Sequence, residues 1–248
     1  MSLNPQISGA SSPGTRTASA VLISGGLDSA VLLAEEARFG PVQPIYVAVG
    51  LAWEAAERAM LDRFIAEARG SFGVRDLVSL TLDMRDVYPA SHWAIEGRPP
   101  SYHTPDEAVY LHGRNIVLLV KAGVFCAGAG IDRLVIGTLD HNPFPDATVE
   151  FRHALAAALS LGLAHPVAID APFARTEKAD VIRRGVALNV PMELTLSCMS
   201  PVMHSGDDVP SHCGVCSKCR ERHDAFVAAG VPDPTRYASR IYVGGQET

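Results

Sequence analysis

At 248 residues, with 48% apolar and 19% charged side chains, the chain is long enough for a sizeable core and too apolar for global disorder. Its formal net charge of −6 argues against a broad nucleic-acid-binding surface, which needs clustered Lys and Arg. The longest apolar stretch, Ile116 to Ile131, is broken by Lys121 and too short to span a bilayer; with no signal peptide at the start, the expected compartment is the cytoplasm, with no membrane partner.

Residues 1–19, rich in Ser, Gly, Pro and Thr, are read as a disordered tail. Strand and helix signals then alternate. Ala20–Ile23 reads as a buried strand, Asp28–Phe39 as a helix ended by Gly40-Pro41, and Pro44–Val49 as a second strand. Trp53–Arg69 has helical periodicity stopping at Gly70, and Asp76–Leu82 is a third strand. Asp83 to Tyr110, with four prolines, reads as a long excursion with little regular structure, the kind of segment that serves as a lid or binding loop. Helix Asn115–Ala129, strand Arg133–Ile136, helix Val149–Leu161, strand Pro166–Ile169 and helix Glu177–Leu188 complete the alternation. Strands spaced by such helices predict an α/β, doubly wound parallel sheet, whose ligands bind beyond the carboxyl ends of the strands. Ser24–Ser29, Gly137–Asp146 and Asp170–Lys178 all follow predicted strands, so they are expected to converge on one cleft.

Ser24-Gly25-Gly26-Leu27-Asp28-Ser29 lies where the first strand ends and the first helix begins. Paired glycines let backbone N–H groups approach an anion, and a helix N-terminus adds unpaired donors and a positive dipole. The competing reading is an ordinary strand–helix turn capped by Asp28. The pattern is too long and restrictive to favour that reading, and no Gly-Lys-Ser/Thr follows, which excludes the P-loop of kinases and GTPases. It resembles the pyrophosphate loop (PP-loop) of ATP pyrophosphatases.

Cys126 lies in an apolar helical pattern and reads as core. Cys213, Cys216 and Cys219 fall within seven residues, with Cys198 upstream, which in a cytosolic chain points to a metal before disulfides. Four thiolates complete a tetrahedral Zn²⁺ site without His204 or His212. An iron–sulfur cluster, which also takes four cysteines, is the competitor; the helical cap Lys218–Ala229 favours a structural zinc knuckle. The expected organisation is a PP-loop domain at 20–195 and a zinc-binding helical module at 196–248.

Loop and knuckle together resemble the 7-cyano-7-deazaguanine synthase family of queuosine biosynthesis, within the adenine nucleotide alpha hydrolase-like PP-loop superfamily. Gly113-Arg114-Asn115, Gly137 with Phe144-Pro145-Asp146, Pro172 with Lys178, and Thr195 with Ser197-Cys198 are similar to elements of that family, as is the segment from Arg222 to Tyr237. The chain departs from the family at Val49–Glu54, at Met199, at Ser200–His212 and at Ala147-Thr148. The resemblance implies a ligase that adenylates a deazapurine carboxylate with ATP and converts it with ammonia to a nitrile, working as a homodimer. It implies that Ser24–Ser29 hold the departing pyrophosphate, that Asp28 orients the loop or Mg²⁺, and that Arg114 and Lys178 neutralise charge. Asn115 and Gly137 would contact the nucleotide, and Phe144 and Asp146 the acceptor, with Asp146 alternatively holding Mg²⁺ or capping the next helix. A PP-loop tRNA thiolase, an amide-forming adenylating enzyme on another substrate, and a nucleotide-binding regulator without turnover are the alternatives.

Overall fold

The computed structural model describes residues 18–204 and 209–243, so the expected tail lies outside the described residues up to position 17. In chain order the elements are β1 (Ser19–Leu22), α1 (Leu27–Ala37), β2 (Val42–Ala48), α2 (Glu54–Phe72), β3 (Val78–Thr81), α3 (Trp93–Glu96), α4 (Arg114–Ala129), β4 (Arg133–Val135), α5 (Val149–Leu163), β5 (Ala168–Asp170), α6 (Lys178–Ala187) and α7 (Ser217–Ala229). The five strands form one parallel sheet in the order β3-β2-β1-β4-β5. The chain winds outward from β1 through β2 to β3, then returns to the other side of β1 for β4 and β5. That reversal creates a crevice at the carboxyl ends of β1 and β4, where such sheets bind ligands.

Side chains of β1, and Ile23 just beyond it, alternate between two buried layers, as the period of a strand requires. Val21 and Ile23 pack with α1, α2 and α6, through Leu32, Phe64 and Val181; Phe226 of α7 joins that layer. Ala20 and Leu22 face the other way, toward Leu119 of α4, Leu159 of α5 and the four clustered cysteines. Both faces are therefore covered, and the edge strands β3 and β5 are the partly exposed ones.

Strand ends shift by a few residues from the sequence expectation, and α2 and the excursion differ for physical reasons. Helix α2 runs through Gly70 and ends at Gly73, whose φ of +67° supplies the left-handed cap. Phe72 packs on the core, which holds the extra turn in place. The excursion between β3 and α4 folds back on the protein, burying Met84, Tyr88, Tyr102 and Val109. It is pinned by α7: Arg220 donates to the carbonyls of Tyr102 and Thr104 at 2.8 and 2.9 Å, and Ser217 N–H to Pro100 at 3.2 Å. No helix among the described residues is long and apolar enough to cross a membrane.

Candidate active site

The turn after β1 is shaped by Gly25, whose φ of +74° lies in the left-handed region. A Cβ there would also come within 3.3 Å of the Glu57 carbonyl, so the position needs glycine for conformation and for closeness. Gly26 precedes α1 in extended conformation, and no side chain caps the helix. The first-turn amides therefore have no intrahelical acceptor and point into the crevice with the positive end of the dipole. Two serines brace the turn: Ser29 Oγ donates to the Gly26 carbonyl at 2.9 Å and accepts from Ser24 N–H at 3.2 Å, while Ser24 Oγ accepts from Gly26 N–H at 3.3 Å. Leu196 N–H reaches the Gly25 carbonyl at 2.8 Å, seating the segment before the cysteine module on the loop.

In front of the turn lies a cavity of about 310 Å³. Its wall includes Ser24, Gly26, Leu27, Asp28, Ser29, Arg114, Asn115, Gly137, Phe144 and Lys178, drawn from five separate stretches of sequence. Gly25 stands behind the turn. Asp146 is also outside the wall: buried, its carboxylate accepts from Asn115 N–H at 3.1 Å and from Asn115 Nδ2 at 3.2 Å. It fixes Asn115 at the start of α4, and desolvation by burial raises its proton affinity. Thr148, not Asp146, caps α5, accepting from Phe151 N–H at 3.2 Å. Phe144 stacks on Tyr110 with ring centroids 4.9 Å apart.

A chain of alternating charge crosses the cavity floor. Lys178 donates to Asp28 Oδ2 at 3.0 Å and to Glu221 Oε1 at 2.5 Å, and Lys218 pairs with the other oxygen of Glu221. Burial opposes the charge on Lys178, but Asp28 and Glu221 outweigh it and hold the ammonium well above its ordinary range. For Glu221, burial likewise opposes ionisation, and the two lysines pull its carboxyl well below the usual range. Three buried polar atoms beside this chain have no partner among the described residues: Asp28 Oδ1, Arg114 Nε and Thr138 Oγ1. Such orphans are costly inside a protein and mark where a polar ligand is received.

Several of these residues carry no local motif. Glu57 and Tyr46 read as helix and strand positions, yet Tyr46 OH donates to Glu57 Oε2 at 2.9 Å inside the cavity wall. Lys218 and Glu221 lie in the helical cap of the cysteine cluster, and only the packing of α7 on α6 brings them to the phosphate loop. The departure at Val49–Glu54 did carry a signal. Glu54 takes the Val49 and Gly50 amides at 2.7 and 3.0 Å, and Trp53 stacks on Trp93 of the excursion, centroids 5.8 Å apart and planes at 8°.

The four cysteines meet beside this site, buried, with all sulfurs within 4.8 Å of one another. Cys213 and Cys219 are 3.8 Å apart, and Cys198 and Cys216 are 4.0 Å apart. A tetrahedron of Zn–S bonds near 2.3 Å places its sulfurs about 3.8 Å apart, so this set suits a single ion. Backbone N–H groups of Ser200, Cys213, Gly214 and Val215 point at the sulfurs, at 3.2–3.4 Å, where they stabilise thiolate charge. Gly214, at φ +78°, has the Ser239 carbonyl where a Cβ would stand. His212 lies outside the ligand set, accepting from Ser197 N–H at 3.1 Å. Cys126 is core, its thiol pushed up to about 12 by burial.

A glycine turn opening an uncapped helix at the switch point of a parallel sheet, faced by lysine and arginine, defines a nucleotide-phosphate site of the ATP-pyrophosphatase kind. The comparisons with known proteins agree. Residues 18–230 match the family model described as queuosine biosynthesis protein QueC. The 7-cyano-7-deazaguanine synthase of Methanopyrus kandleri is 36% identical, covering 88% of this chain and 97% of its own. That of Azoarcus sp. is 32% identical, covering 89% of this chain and 96% of its own. Solved structures are more distant: a 4-thiouridine synthetase in complex with RNA and bound ATP is 12% identical, with a TM-score of 0.48, over 90% of this chain and 48% of that one. The chain belongs to the QueC family.

Proposed function

We propose that this protein is an ATP-dependent carbon–nitrogen ligase that converts 7-carboxy-7-deazaguanine with ammonia to 7-cyano-7-deazaguanine, releasing AMP and pyrophosphate. The observation that carries the reading is the uncapped, glycine-opened start of α1 facing a cavity lined by Arg114 and Lys178. A carboxylate resists ammonia because its oxide is a poor leaving group. Attack of the carboxylate on the α-phosphate of ATP gives an acyl-adenylate, from which AMP leaves readily. Ammonia then yields an amide, and a second adenylation on the amide oxygen permits dehydration to the nitrile.

The protein supplies position and charge. The first-turn amides of α1, from Leu27 to Ser29, receive the pyrophosphate, with Lys178 released from its carboxylate partners to accompany it. Arg114 spans the phosphate and the acceptor carboxylate. Asn115, oriented by Asp146, contacts the nucleotide beside Gly137. Phe144 and the Trp53–Trp93 pair form the apolar wall against which a flat base packs. Asp28, with one buried oxygen unpartnered, is the residue to hold Mg²⁺, which would neutralise phosphate charge. The four cysteines would hold zinc as a structural ion, and the short sulfur separations favour one ion over a cluster. We assign the nucleotide chemistry to residues 20–195 and the metal to 196–248. A second copy of the chain would cover the exposed apolar side chains Ile116 and Val124 of α4 and Val149 and Leu161 of α5. The protein is expected to act in the cytoplasm.

Incubating the protein with ATP, Mg²⁺, ammonia and 7-carboxy-7-deazaguanine tests the reading by mass spectrometry for the nitrile and AMP. Ser24→Ala combined with Asp28→Ala is expected to abolish pyrophosphate release in a folded protein. Undiminished release counts against the loop assignment.

A further inference from the structure

Three carboxylates line the cavity: Asp28, Glu57 and Glu221. Asp28 is paired with Lys178, and Glu221 with Lys178 and Lys218. Glu57 differs. Among the described residues no cation lies within ion-pairing distance of it; one oxygen accepts from Tyr46 OH, and the side chain sits against Gly25 of the phosphate loop, in the cavity wall. It is 6% exposed, so its solvation comes from that cavity.

A buried acid without a salt bridge has no structural account as a stabilising group, because removing a carboxylate from water is costly. The reaction proposed above, on which this inference rests, leaves one task unassigned. Ammonia attacking the acyl carbon becomes a cationic nitrogen and must shed a proton as it becomes an amide. In that reading Asp28 is given to Mg²⁺, Glu221 stays paired with Lys218, Asp146 is turned to Asn115 outside the wall, and no histidine among the described residues lines the cavity. We infer that Glu57 is the general base for nitrogen transfer, taking the proton of the attacking nitrogen. The C–N bond forms, the C–O bond to AMP breaks with its electron pair leaving on AMP, and the proton passes to the Glu57 carboxylate.

The surroundings tune the group to this work. Burial is the largest influence and raises its proton affinity; Arg114 of α4 and the Tyr46 hydroxyl of β2 lower it, and Glu54 of α2 raises it. The balance leaves Glu57 near a value of about 7, where a base both accepts and releases a proton at neutral pH.

Glu57→Gln separates the half-reactions. Adenylation does not need the base, so carboxylate-dependent ATP–pyrophosphate exchange is expected to stay within a few-fold of wild type. Amide formation from ammonia should fall by about 10²-fold or more, the ordinary contribution of a positioned base. At constant free ammonia the wild-type nitrogen-transfer rate should fall below pH 7, and the Gln variant should lack that limb. Hydroxylamine, whose nitrogen sheds its proton more readily, should rescue acyl transfer in the variant. Should Glu57→Gln not fold, Tyr46→Phe serves instead: loss of the phenol's hydrogen bond must move the acid limb to higher pH. Wild-type amide formation in Glu57→Gln, equal loss of exchange and transfer in a folded variant, or an unmoved limb in Tyr46→Phe overturns the inference. Absence of exchange in the unaltered protein overturns the functional reading instead, and the base with it.

Discussion

Lys178 Nζ, at the start of α6, donates to Asp28 Oδ2 in the first turn of α1 at 3.0 Å, joining residues 150 positions apart. The contact lies in the cavity wall and leaves the second Asp28 oxygen buried without a partner among the described residues. Replacing Lys178 by Met strands the Asp28 carboxylate and leaves Glu221 paired with Lys218 alone, and removing one partner of a buried pair costs about 3–5 kcal/mol. A melting curve should show that loss, and pyrophosphate release should vanish. Adding Asp28→Asn and Glu221→Gln should return much of the stability and none of the turnover.

Glu57 makes stability depend on pH in an unusual direction. Its proton affinity is raised in the folded protein, from 4.5 to about 7, so the folded state binds the proton more tightly than the unfolded chain. The cost is absent below pH 4.5, grows as pH rises, and is fully present above pH 7; a displacement of this size corresponds to about 3 kcal/mol. Glu57→Gln should therefore be the more stable protein at pH 8 and close to wild type near pH 4. Denaturant midpoints at the two pH values check the sign.

Arg222 is fully buried, donating to Thr235 Oγ1 at 2.6 Å, Thr195 Oγ1 at 2.8 Å, Met192 O at 2.9 Å and Ser197 Oγ at 3.3 Å, with its guanidinium over the Phe226 ring. Arg222→Ala leaves several acceptors unsatisfied at about 1–3 kcal/mol each. Arg222→Lys should fail nearly as badly, since a point ammonium cannot span four acceptors. Chemical denaturation of both variants is the measurement.

Cys216→Ser and Gly214→Ala should each lose bound metal and thermal stability together, because a structural ion contributes its binding energy to folding. Metal content and melting temperature, measured on the same sample, test the coupling. A variant with no metal and full stability would reject a structural role.

The sheet was legible because β-branched strands, helix periods and glycine punctuation agree along most of the chain, and the phosphate loop because its glycines sit where strand meets helix. The cysteine cluster was legible by spacing alone. Glu57, Glu221 and Lys218 were not. Each occupies an ordinary helical position, and its importance comes from what a distant element places opposite it: Tyr46 across β2 for Glu57, and Lys178 on α6 for Glu221. Asp146 shows the converse. Sequence similarity brought it to notice, but the fold turns its carboxylate toward Asn115 and away from the cavity.

Cys219, Glu221 and Arg222 occupy one turn of α7 and face the thiolate knot, the phosphate floor and the 192–197 strap respectively. That single turn acts as a keystone: the cysteine cluster, the Lys178–Glu221 contact and the 192–197 segment all meet on it. Loss of an ion held by the four thiolates would loosen that turn, so the metal content, fold stability and turnover of a preparation should fall together.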